Sequence, residues 1–429
     1  MQVQDPRSHQ NFEHLDIFLG QSPVHRSLKF IRFQWVDYVG LLRIRVLTVS
    51  FCRQLAAKCS PLVISPIALT SATINFEYFP DFQCMGCDSL YPDYSSIRLC
   101  HYATNHASVM CFLHQGHLSP LLYSCPRMLL QESAAKFPAD IKIGFEIEFR
   151  CLHVDGTNVD ECMEGFSTAA GLRNQCVPFI EAIVEMLEKS DIQVLQFHTE
   201  GSQGLFEIST GPLPPVEALD TLIYTRECIK HVFSQHNLIA TMHPSPMIDV
   251  HHGTAAQFHI SISPAGKSTS DSFLQGILSQ LPALCAFSLP LEVSYKRVNA
   301  LESEAGAYVA WGTQNRDVPI RKIEDGHWEI RCCDGTANMY LVIAATITCG
   351  LEGIERNAEL PSEEQRLQAG IETKLPTSLG ESLEHLKKAN WTQRWRHVAD
   401  AYGKLKALEM TALGNMDPKE RKALLIRHF

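Results

Sequence analysis

The chain has no excess of basic residues. Lys and Arg number 37 against 47 Asp and Glu, a net charge of −10 at pH 7. That balance argues against general nucleic-acid binding, because no surplus of cations exists to neutralise phosphates. No apolar run reaches the roughly 18 residues of a membrane-spanning helix. The most apolar window, Met339 to Leu351, is shorter and reads as a core helix. Met1 to Gln10 is polar and lacks a signal-peptide apolar stretch. No internal repeat and no low-complexity tract is present. These absences set the expectation of a cytoplasmic protein with no nucleic-acid and no membrane partner. A regular cysteine frame is also missing. The 15 cysteines are odd in number and scattered, which suits reduced core residues better than a disulfide scaffold. Cys84-Met85-Gly86-Cys87 is the one pair with metal-ligand spacing. A structural zinc site needs two further ligands; His101 and His106 are at hand, but no second pair exists, so the motif reads as an incidental loop pair.

What is present is an ordinary globular composition, 45% hydrophobic and 20% charged over 429 residues. That length suits two or three domains. Residues 1–27 read as a polar, poorly ordered leader. Ile31, Phe33 and Trp35 alternate with Arg32 and Gln34, Asp37-Tyr38-Val39-Gly40 looks like a turn, and Leu42, Ile44 and Val46 alternate with Arg43 and Arg45. That is a β-hairpin pattern, and residues 28–122 read as a small, mostly β domain. Residues 123–429 mix helices and strands. Pro126 sits near the first turn of a helix. Ile180, Ile183, Val184 and Leu187 follow helical spacing, and Pro214-Pro215 opens another helix. Val194–His198 and Leu205–Ser209 are strands joined by Gly201-Ser202-Gln203-Gly204. The elements do not strictly alternate, so the fold class expected is α+β.

Three distant segments place charge-handling side chains on single strand faces. They are Gly144-Phe145-Glu146-Ile147-Glu148, His198-Thr199-Glu200 running to Phe206-Glu207, and Trp328-Glu329-Ile330-Arg331. Side chains two apart on a strand point the same way. Carboxylates in apolar strands are costly to bury unless cations hold them. The simplest reading is a site for hard divalent ions, and hence phosphate chemistry.

With these segments stand Phe33-Gln34-Trp35-Val36-Asp37-Tyr38-Val39-Gly40, Pro92-Asp93-Tyr94-Ser95-Ser96, Gly253-Thr254-Ala255-Ala256, Ser294-Tyr295-Lys296-Arg297, and Asn315-Arg316 with Arg321. Taken in order, the chain resembles the glutamine synthetase family, including γ-glutamylpolyamine synthetases, from about Leu28 onward. The resemblance implies an N-terminal β-grasp domain over 28–122. It implies a catalytic domain over 123–429 with a curved antiparallel sheet flanked by helices, and a ring-shaped homo-oligomer with active sites between subunits. The implied reaction joins the γ-carboxylate of glutamate to ammonia or a small amine, with ATP and two Mg2+ or Mn2+ ions. Glu148, Glu200 and Glu207 match ligands of the first ion; Glu146 and Glu329 match ligands of the second. Arg297 and Arg331 match the arginines for glutamate, and Arg316 and Arg321 those for ATP phosphates, with His259 and Ser261 beside the nucleotide. Arg316 also counts as catalytic, and Glu304 matches the glutamate that takes the ammonium proton.

Three positions depart from the pattern. Gln257 stands where the family has a histidine ligand of the second ion. Leu205 replaces a glutamine two before Glu207. The acidic residue that the N-terminal domain lends to a neighbouring site has no clear match, although Glu77 lies nearby. Gln257 is the feature that favours a rival expectation, a non-catalytic ring-forming scaffold or sensor with a degenerate second metal site.

Overall fold

The computed structural model describes residues 12–66, 73–78, 85–116, 124–159, 165–246, 253–264, 266–299, 306–362, 373–390 and 393–429. Within the expected leader, Phe12–Gly20 and Pro23–Arg26 are helices. Leu15, Phe18 and Leu19, at i, i+3 and i+4, are buried. The expectation of a disordered 1–27 is therefore corrected from Phe12 on. A short apolar stripe suffices to dock a helix even in a polar stretch.

Strands β1 (Phe30–Val36) and β2 (Leu42–Thr48) form the expected antiparallel hairpin. With β3 (Leu62–Ile64), β4 (Asp88–Pro92), β5 (Arg98–Leu99) and β6 (His106–His114) they make a six-stranded sheet of order β2-β1-β6-β4-β3, with β5 on β6. The β1–β6 pair is parallel. The hairpin turn is tied to the rest of the molecule. Asp37 Oδ1 accepts from the backbone N–H groups of Val39 and Leu41, and Asp37 Oδ2 accepts from Arg43 Nε. Asn338 Nδ2 donates to the Asp37 carbonyl at 2.6 Å. Gly40 has φ of 90°, and a Cβ there would lie 2.5 Å from the Thr336 carbonyl oxygen. Glycine is required both by conformation and by this close approach.

The second sheet has eight strands: β7 (Asp140–His153), β8 (Val194–Thr199), β9 (Leu205–Thr210), β10 (Leu238–Thr241), β11 (Phe258–Ser263), β12 (Trp311–Thr313), β13 (Ile320–Glu324) and β14 (His327–Ile330). Their order is β12-β13-β14-β11-β7-β9-β8, with β10 also on β7. All neighbours are antiparallel except β12 and β13. The 14-residue β7 changes partners along its length, meeting β11 through Asp140–Phe145, β9 through Glu146–Arg150 and β10 through Arg150–His153. The β8–β9 turn closes as its glycines predict, with Gly204 at φ of 60°. The chain is thus α+β.

Helices cover the sheets. In Val177–Glu188, Ile180, Ile183 and Leu187 are fully buried, as the helical spacing predicts. The apolar window is the helix Met339–Glu355, whose Asn338 caps it by accepting from the Leu341 N–H. It crosses the helix Lys267–Ser288 closely because Gly276, Gly350 and Gly353 carry no Cβ. The C-terminal stretch is helical over Leu379–Lys388, Gln393–Gly414 and Pro418–His428. No helix among the described residues is long and apolar enough to cross a membrane. Cys84 lies outside the described residues. Of its suggested zinc partners, Cys87 is exposed, and His106 accepts from Arg32 Nε and packs against the Phe30 ring.

Candidate active site

Strand pairing converts three distant segments into one row of side chains. Glu148 on β7 lies opposite Glu207 on β9, and Glu207 lies opposite His198 on β8. In the other direction His259 on β11 lies opposite both Gly144 on β7 and Glu329 on β14. Glu329 in turn faces Arg321 on β13. Directly paired residues share a sheet face and Gly144, Glu146 and Glu148 are two apart, so all of these side chains emerge on one side.

One end of the row is rich in carboxylates. His198, Glu200 and Glu207 offer ligand atoms that all lie within 4.8 Å of one another. His198 Nδ1 is 3.2 Å from Glu200 Oε1, and its Nε2 is 3.5 Å from Glu207 Oε1. The hydrogen bond to Glu207 pushes the His198 imidazole up to about 9, against burial and with help from the charges of Glu207 and Glu200. Ser209 Oγ donates to Glu207 Oε1 at 2.8 Å. Glu148 is buried and accepts the Ala255 N–H at 2.7 Å. Burial pushes its carboxyl up to about 8; Arg297 and the Ala255 bond pull down, while Glu200 and Glu207 push further up. Clustered oxygen donors, one of them a carboxyl that burial keeps protonated, are a donor set that a hard divalent ion fits.

A pH dependence follows. An ion at this end has to displace the proton that Glu148 holds up to about pH 8. Mn2+ affinity should therefore fall on acidification below that value, by roughly tenfold per pH unit for each proton displaced. Titrations followed by electron paramagnetic resonance at pH 8 and pH 6.5 check it. An unchanged affinity would remove Glu148 from the ligand set.

The other end is rich in arginine. Glu329 is fully buried; Arg321 Nη1 donates to its Oε2 at 2.9 Å and Arg331 Nη1 donates to its Oε1. Arg331 Nη1 also donates to Gln257 Oε1 at 2.9 Å. His259 Nε2 is 3.3 Å from Glu146 Oε1, and His259 Nδ1 is 2.9 Å from His327 Nε2. Burial alone would raise the Glu146 carboxyl, but His259, Arg331 and Arg316 outweigh it and hold it below the usual range. Arg297 is buried and donates from Nη1 to the Cys333 carbonyl at 3.0 Å. Ser261 shares the strand face of His259, and Arg316 is exposed.

The two proposed ligand sets thus fare differently. Glu200 and Glu207 come together with His198, and Glu148 stands opposite Glu207 on the neighbouring strand. Glu146, Gln257 and Glu329 lie side by side, with their side-chain oxygens directed to His259, Arg331 and Arg321. Glu304 falls outside the described residues. Glu77 is exposed and accepts from Asn75 Nδ2 at 3.2 Å, and Leu205 is buried. Sequence reasoning assigned no role to His198 or His327. His198 lies in a segment already singled out, and His327 stands two residues before Glu329 on β14; that spacing was the available signal.

The family model for "Glutamine synthetase, catalytic domain" matches residues 123–423. Protein fluG of Emericella nidulans is 32% identical over 446 residues, covering 97% of this chain. The chain spans 50% of the length of fluG. Gamma-glutamylpolyamine synthetase GlnA3 of Streptomyces coelicolor is 30% identical over 367 residues, covering 77% of this chain and 76% of that protein. The glutamine synthetase of Methanocaldococcus jannaschii is 26% identical over 430 residues, covering 89% and 92%. Among solved structures, a GmaS/ADP complex superposes with a TM-score of 0.78 at 22% identity, covering 92% of this chain and 96% of its own, a likeness of fold. On the family match over 123–423, and on the 30% identity to GlnA3 across 76% of that protein, the chain belongs to the glutamine synthetase family.

Proposed function

We propose that the chain is an ATP-dependent ligase that joins the γ-carboxylate of glutamate to ammonia or a small amine through γ-glutamyl phosphate. The observation that carries this reading is the row across the sheet, with Glu148, Glu200, Glu207 and His198 at one end and Arg321 and Arg331 at the other. Buried carboxylates beside fixed guanidinium groups suit a site that handles metal-bound phosphate and a carboxylic acid together. Mg2+ or Mn2+ held by Glu148, Glu200 and Glu207 would, when bound, screen and orient the ATP phosphates.

The chain's own residues then divide the work. Arg316 and Arg321 hold the phosphates through their planar forks, with His259 and Ser261 alongside. Arg297 and Arg331 orient glutamate. A γ-carboxylate oxygen attacks the terminal phosphorus, the bond to the bridging oxygen of ADP breaks, and the arginines offset the charge of the transferred group. The amine nitrogen then attacks the acyl carbon and inorganic phosphate leaves. The nitrogen's surplus proton needs a base, the role that the family resemblance implies for Glu304. Residues 28–122 serve as the β-grasp domain and 123–429 as the catalytic domain of a ring-shaped homo-oligomer with sites between subunits. The relative GlnA3 is named for polyamines, which makes polyamines acceptors to test alongside ammonia.

Gln257 favours a second reading, a ring-forming scaffold or sensor without turnover. ADP release by the purified protein with Mg2+, ATP and glutamate separates the two, using ammonia, hydroxylamine, ethanolamine and polyamines as acceptors. Release that needs both glutamate and one acceptor is expected. No release with any of them, in Mg2+ or in Mn2+, overturns the ligase and leaves the scaffold.

A further inference from the structure

The arginine-rich end of the row already carries its positive charge. Both oxygens of the fully buried Glu329 accept from guanidinium groups, Oε1 from Arg331 and Oε2 from Arg321. Arg321 is oriented from its other side, with Nη2 donating to Gln314 Oε1 at 2.7 Å. Arg331, itself buried, reaches from Glu329 to the Gln257 amide oxygen with one nitrogen. Glu146 meets His259, and His259 meets His327. Each residue expected to hold a second ion has a protein partner on at least one side-chain oxygen.

Chemistry separates this end from the other. Carboxylates and imidazole, the groups of Glu148, Glu200, Glu207 and His198, are metal ligands. A guanidinium has no lone pair to offer a metal and does not lose its proton in proteins. An ion entering between Gln257 and Glu329 would have to drive the whole Arg331 side chain out of a buried position, or sit beside it as a like charge. A histidine at position 257 would supply a ligating nitrogen. The glutamine supplies a neutral amide oxygen, and that oxygen accepts from Arg331 instead.

We propose that Arg331, clamped between Gln257 and Glu329, is the second cation of this site, so that each chain binds one divalent ion rather than two. Gln257 is then a positioning residue for Arg331. This rests on the ligase reading above and deepens it, because it names what stands opposite the metal when phosphate is held.

The test counts ions. The purified 429-residue chain, free of nucleotide, is titrated with Mn2+ into the millimolar range, and bound ions are counted by electron paramagnetic resonance. One ion per chain is expected in the wild type. Gln257→His should bring the count to two. Arg331→Ala, which opens the same position without adding a ligand, should also allow a second, weaker ion, and it serves if the histidine variant does not fold. Two ions in the wild type overturn the assignment while leaving the ligase reading intact. A count that stays at one in both variants, with near-ultraviolet circular dichroism unchanged, also overturns it, because the clamp is then not what limits the site. No bound ion in the wild type sinks the metal-dependent ligase reading itself, and this inference with it.

Discussion

Glu207→Ala should abolish ligation while leaving the fold standing. Glu207 lies opposite Glu148, within reach of His198, and shares the ligand group with Glu200. Loss of supporting groups around a bound metal costs 10- to 100-fold, and loss of a direct ligand costs more, so turnover should drop by about 100-fold or beyond. Two electrostatic effects of opposite sign set the change in stability. Glu207 is one of the charges that push the Glu148 carboxyl up, so its removal relieves a repulsion. His198 carries an opposing term. Its imidazole is raised to about 9 chiefly by the Glu207 hydrogen bond, which contributes stability below the ordinary value of 6.5 and loses it as pH rises through about 9. Without Glu207 that contribution disappears, and the His198 titration should move down towards 6.5. Thermal unfolding in chelator should therefore change little at pH 8. The stabilisation by saturating Mn2+, about 2.7 kcal/mol at 100 times Kd in the wild type, should vanish. A variant that keeps its Mn2+ stabilisation would remove Glu207 from the ligand set.

Arg127→Ala should be the most destabilising single change away from the site. Arg127 is buried in the helix Pro126–Ala135 and joins three parts of the molecule. Its Nη2 donates to Asp93 Oδ2 at 2.8 Å, just after β4, and to Asp220 Oδ2 at 2.6 Å, while Nε donates to Asp220 Oδ1 at 3.0 Å. Tyr340 Oη donates to Asp220 Oδ1 from the helix Met339–Glu355. The guanidinium also lies 4.5 Å from the Phe112 ring centre on β6. Truncation leaves two mostly buried carboxylates without their cation, which costs about 3–5 kcal/mol. The pH course tests the cause. Burial raises the Asp93 carboxyl, but Arg127 and Ser95 outweigh it and hold it below 3.8, so this pair contributes stability above 3.8 and loses it as pH falls through the lower folded value. In the variant Asp93, buried without its cation, would take up a proton on acidification. The loss measured by urea unfolding should therefore be greatest near pH 7 and shrink towards pH 4.5. A loss below about 1 kcal/mol at pH 7 would show that water replaces the guanidinium at little cost.

Legibility in the sequence followed the range of the forces involved. The period-two spacing of Glu146 and Glu148, and the helical spacing of Ile180, Ile183 and Leu187, are written by steric rules that act over a few residues, and both appear in the fold. The turns at Gly40 and Gly204 were legible for the same reason. The helix Phe12–Gly20 was missed because the polar residues before it set the reading of the whole of 1–27, although Leu15, Phe18 and Leu19 carry the period. His198 was legible as part of a charge-handling segment, but its pairing with Glu207 was not, because only the partner strand sets Glu207 opposite it.

By itself the sequence determined the strand and helix patterns, the supply of carboxylates and arginines, and the family likeness that links them. It also determined that position 257 holds an amide and not an imidazole. Only the tertiary structure decided which of these charges meet. Register across β8, β9, β7, β11, β14 and β13 gathers residues from His198 to Glu329 into one row, and that register is set by burial of the opposite face. It also decided that Gln257 and Glu329 face Arg331, since a guanidinium and a metal ion compete for the same buried oxygens and packing places the guanidinium among them.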